Sequence, residues 1–425
     1  MSLLRNSSIY LSSNILNALV PFLLLPILTH NLSPDAYGQI AMFQTLLGGL
    51  AALTGLNTIG AASRRFYDKL THNELVDYNG ACIYVLIFSS LFLIAIATIF
   101  HQPLSELLHI PTSWVFLAIL VSSGMFIIQL RLGQWQVREQ AFKYGLLQVS
   151  QSVLLFFLTL LLLLWAKQGA ESRVNALVIA TFAYVCISFV TLYKEKFLRL
   201  SHIRIDYIKD AIKFGAPLVP HILGIFFLSA IDRIIINDQL GVGEAGIYML
   251  AAQLSLGMVV VFDAINKAMI PWLFRILAAN DVDKINRLVR FTYIYFVVLT
   301  LLGALAFLIG PLVVELVAGV EYQRATTVIG WLCLGQAFNG MYLMVTNYLF
   351  YAKKTGMLSI VTVTCGVFNI ILMLCLIKTN GIVGVAMAFS LSMGIRFIAT
   401  WWLVSRLKFV TWNVFSKKKY HNNDA

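Results

Sequence analysis

Charge is what this sequence has least of: 12% of its 425 residues are charged and 60% are apolar, with a mean hydropathy of +0.83. A folded protein in water must clothe a large exterior with polar groups. There are too few here, so a soluble globular fold is excluded and lipid is the main solvent. Cysteine is scarce as well. The five present, Cys82, Cys186, Cys333, Cys365 and Cys375, fall in apolar stretches, are odd in number and lack metal-ligand spacing. They exclude a disulfide framework and a zinc site, and read most simply as small core residues. Signatures of chemistry are missing too. There is no nucleophile elbow, phosphate loop or HExxH motif, and no carboxylate cluster on an aqueous loop. The chain is therefore expected not to be an enzyme, with no catalytic residue and no metal site.

What is present is a series of apolar runs of about 20 residues, the length of a membrane-crossing helix. Barrel strands would alternate over roughly ten residues, and inside lipid only helices or a closed barrel satisfy the backbone. The expected fold is all-α and polytopic, with twelve spans near 7–29, 39–63, 80–100, 114–132, 146–166, 175–193, 214–236, 246–272, 291–309, 326–350, 357–377 and 382–403. The first resembles a signal peptide, with Arg5 before an apolar run. It also carries Asn14, Asn17, Pro21 and Pro26 and no small-x-small site before Thr29, so it reads as a retained span. Lys378-Thr-Asn-Gly381 reads as a tight turn between the last two spans.

An even number of spans puts both termini on one side. Of the 31 Lys and Arg residues, 25 lie in the connections or at the span ends on that side, Arg131 and Lys267 among them as anchors, and four on the other. The positive-inside rule makes the termini cytoplasmic. A basic rim facing an anionic leaflet accounts for the net charge of +12 without nucleic acid.

The longest internal connection, 194–213, falls midway and carries Ile205, Ile208 and Ile212 on one helical face with Lys209, Asp210 and Lys213 elsewhere. That is the pattern of a short interfacial helix. It divides an N-terminal six-helix lobe (1–193) from a C-terminal one (214–404), followed by a basic tail (405–425). The halves are weakly alike. Leu32-Ser-Pro-Asp-Ala-Tyr-Gly38 after span 1 parallels Leu240-Gly-Val-Gly-Glu-Ala-Gly246 after span 7, and Arg64-Arg65-Phe66 sits where Phe274-Arg275 sits. Halves of even span number share orientation and relate by an axis along the membrane normal.

Charges inside spans are costly and mark functional candidates. Asp232 lies on one face of span 7 with His221, eleven residues apart and nearly eclipsed. Arg233 points about 100° away and either snorkels at the outer end or faces a lumen. Asp263 and Lys267 form an i, i+4 pair on span 8, best read as structural. Arg64 shares a face of span 2 with Asn57; it is either a cytoplasmic anchor or a reach to a phosphate. Arg396 lies deep in span 12, where snorkelling explains it least, with Ser392 one turn earlier. Asn14, Asn17 and Asn369 more often bond neighbouring helices than ligands.

With these residues assembled, a resemblance emerges. The Leu32–Gly38 motif, Phe214-Gly-Ala-Pro-Leu-Val-Pro220, Asp232-Arg-Ile-Ile-Ile236, Gly246-Ile-Tyr248 and Asn380-Gly-Ile-Val-Gly384 are similar to those of Wzx-type O-antigen flippases. These belong to the MATE-like multidrug/oligosaccharidyl-lipid/polysaccharide (MOP) superfamily. The motifs mark helix ends rather than chemistry, and the likeness spans the chain. It implies two six-helix lobes in a V around a cavity open alternately to each side. It implies passage of an undecaprenyl-pyrophosphate-linked oligosaccharide between leaflets of the bacterial inner membrane, in lipopolysaccharide biosynthesis, beside a polysaccharide polymerase and a chain-length regulator. Under it Arg396, Arg233 and Arg64 would meet the pyrophosphate. Asn57, Asn14 and Asn17 would meet sugar hydroxyls. Asp232, His221, Asn369 and Ser390 would serve a coupling ion, Na⁺ through oxygen ligands or H⁺ through the carboxyl. A MATE-type exporter of small cations shares the architecture but favours an acidic lumen. A polymerase or ligase of the same pathway needs a long outer loop, which is missing.

The orientation has a direct test. In a chain stripped of its own cysteines, single cysteines at Ser33 and Thr379 are expected to react with an impermeant thiol reagent from outside the cell, and one at Ser416 is not. Labelling at Ser416 in intact cells would reverse the topology.

Overall fold

The computed structural model describes residues 2–68, 71–279, 281–352, 354–407 and 412, excepting the side chains of 2–7, 221, 228, 229, 355, 356 and 359. No strand occurs among the described residues. The helices are α1 Ser2–Asn31, α2 Pro34–Leu53, α3 Thr58–Arg65, α4 His72–Leu108, α5 Thr112–Val137, α6 Ala141–Leu160 and α7 Glu171–Lys194. They continue with α8 Ile205–Gly215, α9 Val219–Leu240, α10 Val242–Ala279, α11 Val282–Val317, α12 Thr326–Tyr351 and α13 Thr355–Ser405. Eleven stretches among the described residues are long and apolar enough to cross a membrane. The twelfth expected span is there, fused with its neighbour. α13 holds spans 11 and 12 as two limbs joined at Gly381, whose φ of 56° and ψ of −139° lie outside helix space. A Cβ on Gly384 would stand 2.2 Å from the Leu376 carbonyl oxygen, so the turn closes as tightly as the Lys378–Gly381 sequence implies. The outer surface is apolar: Trp165 is 86% exposed and Leu316 83%. Only lipid makes such a surface tolerable. Of the five cysteines, Cys82, Cys333 and Cys365 are buried, but Cys186 and Cys375 are exposed. The core reading holds for three; the others sit on helix faces that are equally apolar because lipid covers them.

The chain packs as two compact units, Met1–Gly246 and Ile247–Ala425. The boundary falls later than the 194–213 linker because α8 packs on α3 and α4, and α9 on α2. The linker helix forms over nearly the residues its pattern marked, with Ala211 buried and Ile205 and Ile212 exposed.

In the first unit span 2 is interrupted. Gly55, Leu56 and Asn57 all take left-handed φ values (66°, 47° and 56°) between α2 and α3. Gly55 is obligatory twice over, by its φ and because a Cβ there would stand 2.1 Å from the Phe126 ring. The interrupted backbone is re-satisfied by side chains. Gly55 N–H donates to Ser89 Oγ at 2.8 Å, Thr58 Oγ1 donates to the Gly55 carbonyl at 2.8 Å, and Ser122 Oγ donates to Thr54 Oγ1 at 2.9 Å.

The two repeated motifs meet. A Cβ on Gly38 would stand 1.9 Å from the Val242 carbonyl oxygen, and one on Gly246 2.2 Å from that of Pro34. Pro34 and Val242 occupy equivalent places in the motifs, as do Gly38 and Gly246. The contact is therefore reciprocal: each motif's last glycine opposes the backbone of the other motif's third residue.

One ionic cluster ties α5, the start of α6 and the end of α7. Glu195 lies 2.8 Å from Arg131 Nη2, 2.6 Å from Arg138 Nη1 and 2.8 Å from Lys143 Nζ. Arg131, expected among the anchoring basic residues of a connection, is instead fully buried within α5, its guanidinium 4.0 Å from the centre of the Trp135 ring. Burial pushes the Glu195 carboxyl up, but hydrogen bonds from Lys143, Arg131 and Arg138 outweigh it and bring it down to about 2.

In the second unit, α11, α12 and α13 pack around an aromatic core in which Phe397 and Trp401 stack at 5.8 Å and Phe296 packs edge-on to both. Asp263 and Lys267 on α10 pair at 2.5 Å with both side chains exposed.

Glu195 leaves a buried cation uncompensated when removed. Glu195→Ala is expected to cost on the order of 3–5 kcal/mol, read as a lower unfolding midpoint in detergent, with Glu195→Gln intermediate. Its folded pKa lies below the unfolded one. The stabilisation is therefore full above pH 4.5, the carboxyl's ordinary value, and is lost as pH falls through about 2. An unchanged midpoint in Glu195→Ala would refute this role.

Candidate functional site

The residues singled out by sequence divide between the units. In the first unit Asn14 and Asn17 stand on α1 facing α6, where Asn14 Oδ1 accepts from Gln148 Nε2 at 3.1 Å and Asn17 Oδ1 accepts from Ser152 Oγ. These amides join two helices, and Gly145 lets them approach: a Cβ there would stand 2.4 Å from Ser13 Oγ. Asn57 sits in the break of span 2, half-buried and left-handed. Arg64 is exposed at the end of α3, its guanidinium 5.6 Å from the centre of the Phe214 ring.

α9 carries Asp232 and Arg233 and lies against α2, where Phe226 packs on Gly48 and Gly49 at 3.4 Å from the positions their Cβ atoms would take. Asn237 Nδ2, one turn beyond Arg233, donates to the Leu107 carbonyl at 2.7 Å and pins α9 to the end of α4. Asp232 is 6% exposed and its Oδ1 accepts from the Arg233 backbone N–H at 2.8 Å. Arg233 is half-buried, and its Nε has no hydrogen-bond partner among the described residues. The His221 side chain lies outside the described residues; its backbone lies in α9, eleven residues before Asp232.

In the second unit the two limbs of α13 gather a polar group inside apolar packing. Arg396 lays its guanidinium over the Tyr342 ring of α12, 3.7 Å from the centroid. It has no ion-pair partner and its Nε no hydrogen-bond partner among the described residues. Arg396 interacts electrostatically with Cys365 on the other limb. One turn further along the antiparallel limbs come Asn369, 0% exposed, and Ser392, 1% exposed. Neither Asn369 amide atom nor the Ser392 hydroxyl has a hydrogen-bond partner among the described residues. Such buried orphans cost free energy and call for an explanation. Ser390 differs: its hydroxyl donates to the Trp331 carbonyl and is already engaged. Among the described residues no three His, Cys, Asp or Glu side chains cluster to hold a metal ion.

Sequence reasoning ranked Arg396 and Asn369 but missed Tyr342, whose ring is the platform for the guanidinium. No spacing rule links residues on different helices. It also missed Asp77, 6% exposed on α4 and 3.3 Å from Arg199.

Residues 3–277 match the family described as "Polysaccharide biosynthesis protein". The chain is 29% identical over 375 residues to an "Uncharacterized membrane protein" of Haemophilus influenzae, covering 85% of this chain and 87% of the relative. It is 24% identical over 405 residues to the "Probable low-salt glycan biosynthesis flippase Agl15" of Haloferax volcanii, covering 93% and 82%. Among solved structures it resembles the lipid II flippase MurJ in an inward closed conformation (TM-score 0.73, 15% identity, 95% and 87% covered). It also resembles a MATE-family multidrug resistance transporter of the MOP superfamily in an inward-facing conformation (TM-score 0.70, 16% identity, 91% and 93% covered). With the fold of the MOP transporters, this multi-pass membrane chain belongs to the polysaccharide biosynthesis protein family.

Proposed function

We propose that this protein is a flippase that carries an undecaprenyl-pyrophosphate-linked oligosaccharide, an O-antigen or related repeat unit, from the cytoplasmic to the periplasmic leaflet. Both termini are cytoplasmic in this reading. Family membership, the flippase name of the Haloferax relative and the MOP fold support the general activity. The observation that carries the finer reading is Arg396. An arginine deep in a membrane helix costs about 2.5–3.5 kcal/mol on insertion scales. This one has an aromatic platform but no carboxylate among the described residues. A cation retained at that cost without a protein anion suits a passing anion, and a pyrophosphate is a fitting one. Arg233 and Arg64 are further contacts along the route. Transport is by alternating access, coupled to an ion through Asp232 as a proton carrier, with Na⁺ the alternative. The Asn369 neighbourhood suits a cation less, since Arg396 acts on Cys365, one turn from Asn369 on its own limb, and Ser390 is engaged. A polysaccharide polymerase and a chain-length regulator would take the product onward.

Proteoliposomes loaded with the lipid-linked oligosaccharide test the reading under imposed Na⁺ and pH gradients. Arg396→Ala is expected to slow transfer at least tenfold, as loss of a charge-assisted contact of about 1.5–3 kcal/mol implies, and Arg396→Lys to keep part of the rate. Asp232→Asn is expected to remove the gradient dependence. Wild-type rates in Arg396→Ala would end the pyrophosphate role.

Asn369 gives an independent check. If its amide stays unpartnered until a ligand or water meets it, Asn369→Leu removes a buried penalty of about 1–3 kcal/mol. The variant is then expected to unfold at the same or a higher temperature while transport falls. A less stable variant with normal transport would make Asn369 structural.

A further inference from the structure

We infer that the first unit holds a second anion site, a pocket for the phosphate group of a lipid, between α3, the start of α4 and the linker helix α8. The cavity there has a volume of about 290 Å³. That lies at the small end of ligand pockets, which run to roughly 300–1,000 Å³. It has room for a phosphate headgroup, with any sugar or lipid chain attached to it lying outside. Its charged lining is Arg64, Arg65 and Lys213 against Asp68 and Asp210.

The two carboxylates are spoken for. Arg65 Nη1 lies 2.9 Å from Asp68 Oδ2, and Arg65 Nε 3.3 Å from Asp210 Oδ2. Tyr78 donates its hydroxyl to Asp210 Oδ2 at 2.9 Å, and Arg65 lies over the Tyr78 ring. Arg65 is thus a brace joining α3, α4 and α8. Arg64 and Lys213 are the surplus: both are exposed, and neither has an ion-pair partner among the described residues. Two uncommitted cations above a braced wall form a fork for an anionic phosphate.

The wall is rigid for a reason already met. Gly215, at the end of α8, would place a Cβ 2.2 Å from the Leu56 carbonyl oxygen, so α8 is seated directly on the left-handed break of span 2. Lys213 and Arg64 keep their relative places because these backbones touch. The same helix exposes Ile205 (61%) and Ile212 (36%), and Tyr67 beyond Arg64 is 75% exposed. A lipid chain attached to the phosphate would find apolar surface there, at the depth of an interfacial helix. The phosphate has two sources: an anionic phospholipid of the same leaflet, or the pyrophosphate of the polyprenyl donor before it enters the route. Only the second source rests on the transport reading.

Binding to the full-length detergent-purified protein, read by native mass spectrometry, tests the pocket without any transport step. Wild type is expected to retain phosphatidylglycerol in preference to phosphatidylcholine. Arg64→Gln and Lys213→Gln are each expected to weaken retention about fivefold, the usual worth of one basic residue at an anionic surface, and the double variant about the product. Lys284→Gln, which removes a surface cation elsewhere, should leave retention unchanged. Displacement of phosphatidylglycerol by undecaprenyl pyrophosphate assigns the site to the donor; persistence of phosphatidylglycerol assigns it to a resident lipid. Equal retention by wild type and the double variant, or equal retention of the two phospholipids by wild type, would overturn the site. Normal lipid retention with absent transport would leave the pocket standing and count against the flippase reading alone.

Discussion

Lipid offers a peptide group no hydrogen-bond partner, so every interruption of a helix in this chain has to be closed by its neighbours. The interruption of span 2 shows what that entails. Three consecutive left-handed residues at Gly55–Asn57 break the ladder. Ser89 supplies an acceptor for the Gly55 N–H, Thr58 a donor to its carbonyl, and Ser122 a hydrogen bond to Thr54. Once closed, the break becomes a fixed surface. α8 seats Gly215 on it, and through Gly215 the positions of Lys213 and Asp210 relative to Arg64 and Arg65 follow. The chemistry at this end of the first unit thus depends on how one backbone defect was repaired.

The arginines divide by the same logic of compensation. Arg131 is fully buried and answered by Glu195 at 2.8 Å and by the Trp135 ring. Removing water from such a pair is costly, and the Coulomb gain offsets the cost only in a well-made geometry, here shared with Arg138 and Lys143. Arg396 is answered by the Tyr342 ring alone among the described residues. A ring face recovers part of a guanidinium's lost solvation, about 2 kcal/mol when desolvated, but not its charge. The first arginine is finished by the fold; the second has attraction to spare for an anion.

Helix positions were legible in the sequence because lipid imposes length and apolarity on every span. The Gly381 turn was legible because a Lys-Thr-Asn-Gly sequence has few other uses between two apolar runs. The break in span 2 was not: Gly55 and Asn57 fall inside a stretch long enough to count as one span, and a left-handed Leu56 has no sequence signal. Arg131 was misread because a basic residue near the end of a span ordinarily snorkels, and its partner Glu195 follows a different helix. The asparagines mark a sharper limit. Asn14 and Asn17 were ranked with the site, yet the structure joins them to Gln148 and Ser152, while Asn369 is left with both amide atoms unpartnered among the described residues. Residue type was alike; only the facing helix distinguishes a joint from an unpartnered amide.

The repeated motifs carry the last constraint. In a reciprocal contact, residues at equivalent places in the two motifs face each other's partners. Gly38 opposes the Val242 backbone as Gly246 opposes that of Pro34, so both glycines are needed for one approach. Asp35 and Gly243 are also an equivalent pair, and a Cβ on Gly243 would stand 2.7 Å from Asp35 Oδ1. A second aspartate there would bring two carboxylates together where one already fills the space. Divergence at that position is therefore a steric and electrostatic consequence of the symmetric contact itself. One copy of the motif keeps the acid that opens α2, and the other gives up its side chain where residues 242–246 approach it.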